Sequence, residues 1–184
     1  MILGLQPEAR LSDSLREQSV SFAVRGETLR GNVATGPVKG QTGIVLVHGW
    51  SGYRNGPHGL LTYLARELAV GGFPSLRFDF RGRGESEGDG LAACLPSMAD
   101  DVVAASEWFA RSQNLQRLVY VGLCSGGNVT IGSLKRLPLA RGLVLLSVYP
   151  FSDGDAFGRD VHRTWHYARV YLHKAMHGDT WRRL

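Results

Sequence analysis

A chain of 184 residues, 43% hydrophobic and 20% charged, suits one globular domain with a sizeable core. Its net charge of +5 is scattered, with a modest concentration after residue 158. No zinc-finger spacing, RNP aromatic motif or recognition-helix pattern accompanies it, which argues against nucleic acid as a partner.

The start, MILGLQPEARLSDSLREQ, lacks a basic region followed by an apolar one, so no secretory signal is expected. No apolar run reaches the ~20 residues that span a bilayer. Two cysteines are too few for a disulfide scaffold, and the expected compartment is the cytoplasm. Residues 18–35 read as a hairpin turning at Arg25-Gly26-Glu27. Gly43–Val47, GIVLV, is a continuous apolar run suited to a strand covered on both faces. After the glycine-rich loop HGWSGYRNGPHG, the leucines Leu60, Leu61, Leu64 and Leu68 recur at helical spacing and stop at Gly71-Gly72.

The alternation repeats. FPSLRFDF reads as a strand and RGRGESEGDG as a loop. Ser97-Met98-Ala99-Asp100 matches a capping box opening a helix, in which Val102, Ala105 and Phe109 share a face. RLVYVGL is a third buried strand, Ser125 to Leu137 a third helix stopped by Pro138, and RGLVLLSVYPF a fourth strand. Strands alternating with helices imply an α/β class fold with a mostly parallel sheet behind an N-terminal hairpin. After Phe151 the pattern changes, and residues 158–177 read as one amphipathic helix.

Three motifs close consecutive parallel strands: LVHGW, FDFRGRGES and GLCSGG. Functional loops gather at the carboxyl ends of strands in such sheets. Together the motifs resemble the α/β-hydrolase superfamily, with its H-G-x-x-G oxyanion loop, D-x-R-G-x-G-x-S loop and nucleophile elbow. The resemblance covers residues 18–150, a core incomplete at its C-terminal side, and leaves 151–184 as the start of a helical cap or lid. Within the superfamily, the G-x-C-x-G-G elbow is similar to dienelactone hydrolase. The basic, aromatic tail resembles exosortase-associated hydrolases, and the whole is also similar to serine aminopeptidases.

The elbow needs small residues two before and two after its tip. Centring on Cys124 places Gly122 and Gly126 there, whereas centring on Ser125 places the bulky Leu123 before it. Cys124 is therefore the expected nucleophile, its thiolate favoured by the N-terminus of the following helix. The alternative is a small buried cysteine filling a tight turn. Cys94 shares no motif and reads as structural. The resemblance assigns the oxyanion hole to the backbone amides of Trp50 and Ser125. It gives His48, Asp79 and Arg81 loop-shaping roles.

The superfamily's acid and histidine usually follow two further strands, which these 184 residues do not show, so the chain reads as a fragment or a shortened member. Asp153 is a candidate acid, against the plainer reading of SDGD as a polar turn; Asp155 is a weaker case. His162, His166, His173 and His177 fall within about 60° of one another on a helix. Two H-x-x-x-H pairs could hold a divalent metal. No H-E-x-x-H glutamate is present and arginines interleave, so the expectation is a polar helix flank, no metal and no cofactor. The implied reaction is hydrolysis of an ester, thioester or similar small acyl substrate, with a poor turnover from these residues alone. The rival is a non-catalytic relative that binds a ligand or partner. The segment Gly142–Val148 is expected to leave an open sheet edge through which copies associate.

Overall fold

The computed structural model describes residues 8–12, 15–38, 40–148 and 169. By backbone contacts the chain divides into two units, residues 1–149 and 150–184. Among the described residues the first contains seven strands, β1 (Glu8–Ser12), β2 (Leu15–Val24), β3 (Glu27–Thr35), β4 (Thr42–Val47), β5 (Ser75–Phe78), β6 (Arg117–Leu123) and β7 (Ala140–Leu146). Its helices are α1 (Leu60–Val70), α2 (Leu95–Gln113) and α3 (Ser125–Ser133). The expected helix over 158–177 lies outside the described residues.

The strands form one sheet in the order β1-β2-β3-β5-β4-β6-β7. The neighbours β5, β4, β6 and β7 run parallel, and β1, β2 and β3 join antiparallel at the other side. Val24 pairs with Glu27, so the hairpin turn is the two residues Arg25 and Gly26, at φ 50° and 89°. Positive φ at both positions is what a tight two-residue hairpin demands.

Strand alternation divides the core. Ile44 and Leu46 of β4 and Val121 of β6 pack with Leu61, Ala65 and Ala69 of α1. Val45 and Val47 face the opposite layer, with Tyr120, Phe78 and the α2 residues Met98, Val102, Ala105 and Phe109. The uninterrupted apolar run of β4 follows from having a helix on each face. Inside that layer the Tyr120 hydroxyl donates to Ser106 Oγ at 2.9 Å, and burial pushes its pKa up to about 12.

Two expected boundaries shift. α2 is capped by Cys94, not Ser97: the Cys94 amide donates to Ser97 Oγ at 2.9 Å, so Ser97 is the third helical residue reaching back to the cap. Pro96 in the first turn, where no amide is needed, allows this earlier start. α3 ends at Ser133 and a short 3₁₀ turn, Leu134–Arg136, completes the segment. β7 is not buried like β4, since Val144 and Leu145 are 46% and 43% exposed. Among the described residues it has a single strand neighbour, β6.

A buried polar chain runs under the parallel strands. Arg77 of β5, 4% exposed, pairs with Glu17 of β2, 8% exposed. Glu17 also accepts from Arg66 Nε of α1 at 2.7 Å, and Arg77 Nη1 donates to Asn55 Oδ1 in the loop after β4. Such charges are tolerated in a core because guanidinium and carboxylate are paired and hydrogen-bonded, although Arg77 Nε finds no hydrogen-bond partner among the described residues.

Candidate active site

The loop after β4 begins at His48, which is 1% exposed. Its Nδ1 lies 2.7 Å from the Gly49 carbonyl, which can only accept, so Nδ1 carries the proton. Nε2 then accepts from the Phe80 amide at 3.4 Å. The ring also meets Phe80 edge to face, with centroids 4.8 Å apart. Burial pulls its pKa below 6.5. Both nitrogens are thus turned to the loop backbone.

The loop after β5 is organised by Asp79, which is fully buried. Its carboxylate accepts from the Arg54 amide at 2.6 Å and the Glu85 amide at 3.1 Å, and pairs with the Arg54 guanidinium. Gly84 is held at φ 52°, and a Cβ there would run into that carboxylate. Arg81 donates Nε to Asp101 Oδ1 at 2.6 Å and Nη2 to the Ser97 carbonyl at 2.9 Å, tying the same loop to α2. Burial pushes the Asp101 carboxyl up to about 6 against the pull of Arg81.

Between β6 and α3 the chain turns on Cys124, at φ 53° and ψ −128°. A non-glycine residue at positive φ is strained by roughly 1–3 kcal/mol, and the surrounding contacts hold it there. The Cys124 amide donates to the Leu146 carbonyl at 2.8 Å and its carbonyl accepts from the Gly127 amide at 3.0 Å. A Cβ on Gly122 would overlap the Gly127 backbone, and one on Gly126 would overlap the carbonyl oxygens of Val47 and His48. Glycine is therefore obligatory two residues either side of Cys124. Cys124 is exposed.

The first and third loops meet at Gly49. A Cβ there would lie 3.3 Å from Cys124 Cβ and 3.6 Å from Ser125 Oγ. One residue on, the Trp50 amide donates to Ser125 Oγ at 2.6 Å. The structure thus brings Cys124, Ser125 and the Trp50 backbone together. The Trp50 ring is 41% exposed, with the Arg83 guanidinium 5.7 Å from its centroid.

Cys94 is exposed at the start of α2 and its hydrogen bond with Ser97 lowers its thiol pKa. Asp153, Asp155, His162, His166, His173 and His177 lie outside the described residues. Among the described residues no cluster of three or more metal-ligating side chains occurs, and no helix is long and apolar enough to cross a membrane. Sequence reasoning passed over Arg54, Asn55, Arg77 and Glu17. Arg77 and Asp79 could have been flagged as charges inside the apolar run SLRFDF, which calls for buried partners.

A parallel sheet whose strand ends carry a strained turn, a helix N-terminus and a facing backbone loop defines an α/β protein of the nucleophile-elbow class. Residues 43–157 match the model of the alpha/beta hydrolase fold family, and the chain belongs to that family. Over 115 residues it is 31% identical to an uncharacterized 31.7 kDa protein of the traX-finO intergenic region of Escherichia coli, covering 61% of this chain and 38% of that one. The fold superposes on an alpha/beta hydrolase of Penicillium sp. sh18 with TM-score 0.64 and 23% identity, covering 86% of this chain and 53% of the other. An esterase of Pyrococcus furiosus gives TM-score 0.62 at 20% identity, covering 72% and 50%. The chain thus spans about half the length of these solved structures, and less of the curated relative.

Proposed function

We propose that this chain carries the nucleophile and oxyanion half of an acyl-transfer site, acting on an ester, thioester or similar small acyl substrate. The observation that carries the reading is the strained Cys124 turn, with glycine-only neighbours, at the N-terminus of α3. In the reaction the Cys124 thiolate attacks the carbonyl carbon. A C–S bond forms, and the carbonyl π electrons move to oxygen. The Ser125 amide, which has no partner within its helix, and the Trp50 amide are the donors assigned to that oxyanion. Collapse expels the alkoxide or thiolate, which takes a proton, and water later cleaves the thioester.

In this reading His48, Asp79 and Arg81 shape loops and take no proton from substrate. Asp153 is the candidate acid, and residues 151–184 are read as the start of a helical cap or lid segment. Neither a metal nor a cofactor is needed, nucleic acid is not a partner, and the protein works in the cytoplasm. That the Pyrococcus neighbour is an esterase supports the acyl substrate class.

The test is incubation of the 184-residue chain with p-nitrophenyl acetate, followed by peptide mass spectrometry. An acetyl group on Cys124, absent from Cys124→Ala, is expected. A chain that takes up no acetyl group at Cys124 would favour the rival, a non-catalytic relative that binds a ligand or partner.

A further inference from the structure

We infer that the Ser125 hydroxyl is a built-in plug of the oxyanion hole, so that Ser125 is a positioning residue controlling how readily the Trp50 amide becomes available. The inference rests on the proposed acylation at Cys124 and deepens it. Its basis is one contact: the Trp50 amide, one of the two donors proposed for the oxyanion, already donates to Ser125 Oγ at 2.6 Å. Oxyanion donors act at 2.7–3.1 Å from the oxygen they stabilise. The hydroxyl oxygen therefore stands, with respect to Trp50, where the substrate oxygen would have to stand.

The surroundings fix the competition. Gly49 brings the Trp50 loop against the elbow, with its Cβ direction 3.3 Å from Cys124 Cβ and 3.6 Å from Ser125 Oγ. Both side chains thus face one small patch of backbone. Ser125 is the first residue of α3, where its backbone is fixed while a serine side chain retains alternative staggered positions. Turning about χ1 removes Oγ from the Trp50 amide without moving the Ser125 amide. An oxyanion accepts more strongly than a neutral hydroxyl, so it displaces the plug; a neutral ester carbonyl has no such advantage. The bond to Ser125 is therefore given up on the way to the transition state, and giving it up slows acylation.

Three 184-residue proteins test this: the native chain, Ser125→Ala and Ser125→Thr. The rate of p-nitrophenolate release is followed over ester concentration, and the Trp50 amide is followed by hydrogen exchange. Removing the plug should raise the limiting acylation rate between about twofold and tenfold, the value of one neutral hydrogen bond. The half-saturating concentration should change little, and Trp50 amide exchange should become faster. Threonine, which keeps the hydroxyl, should restore the slower rate and the protected amide. An equal or slower limiting rate in Ser125→Ala, with Cys124 still acetylated, overturns the plug and leaves the acylation reading standing. Unchanged Trp50 exchange in Ser125→Ala likewise overturns it. Absence of acetylation in all three proteins overturns the acylation reading itself, and the plug with it.

Discussion

His48 Nε2 and the Phe80 amide face each other across 3.4 Å, joining the loop after β4 to the chain just beyond β5. The bond needs an unprotonated Nε2, and the Gly49 carbonyl needs a protonated Nδ1.

The imidazole is therefore expected to be the neutral Nδ1–H tautomer, with a midpoint below 6.5. Histidine-selective ¹⁵N NMR over a pH series reads both. Because the folded-state value is depressed, His48 contributes stability that is present above pH 6.5 and lost as pH falls through the folded midpoint. His48→Asn, which cannot titrate, should flatten that part of the acid dependence. It should also cost about 1–3 kcal/mol at pH 7, because the Phe80 amide loses its acceptor.

Alkylation and acylation should separate the two cysteines. Both thiols are exposed, and Cys94 has its pKa lowered by Ser97. Iodoacetamide is expected to modify both, so alkylation alone does not identify the nucleophile. If the proposed site is right, an activated ester should acylate Cys124 alone, since only that thiol sits beside the Trp50 and Ser125 amides. Comparable acetylation of both cysteines in peptide maps would count against the proposed site.

The elbow glycines should split sharply from a neighbour in the same helix. Gly126→Ala and Gly122→Ala drive a methyl into backbone, and each should cost at least about 1–3 kcal/mol in urea unfolding. At Gly132, also in α3, a Cβ meets nothing within 4 Å. Gly132→Ala should stabilise by about 0.5–1 kcal/mol.

The same glycines show what could be read from sequence and what could not. Spacing around Cys124 was enough to centre the turn there, because the clash at positions two before and two after is local and independent of the rest of the fold. The buried strands were legible for a similar reason, since GIVLV and RLVYVGL must be covered on both faces wherever they pair. The α2 cap was misplaced because Ser97 suits both the cap and the third helical position, and only the Cys94 amide decides between them. The hydrogen bond from Trp50 to Ser125 links residues 75 positions apart. No local pattern encodes it. β1, and the partnership of Glu17 with Arg77, depend on strand order and were equally silent.

β7 should be a point of self-association. Val144 and Leu145 are exposed apolar residues on a strand paired on one side only among the described residues. Exposed apolar strand edges recruit other strands. Size-exclusion chromatography with light scattering should find dimers or larger species, shifted toward monomer by Leu145→Lys. A sharply melting monomer of the native chain would contradict this.

The family match begins at residue 43, yet the guanidinium of Arg77, inside that match, is neutralised by Glu17, well before it. The boundary of the inherited family and the boundary of the cooperative folding unit therefore do not coincide. A protein trimmed to residues 43–148 would keep every elbow motif but lose β1, β2 and β3 together with Glu17, leaving β5 an uncovered edge and Arg77 without its counter-ion. Asn55, which takes its hydrogen bond from that same guanidinium, would transmit the damage to the loop that carries Trp50. The N-terminal hairpin is in this sense the foundation of the site: it contributes no motif, and the motifs depend on it.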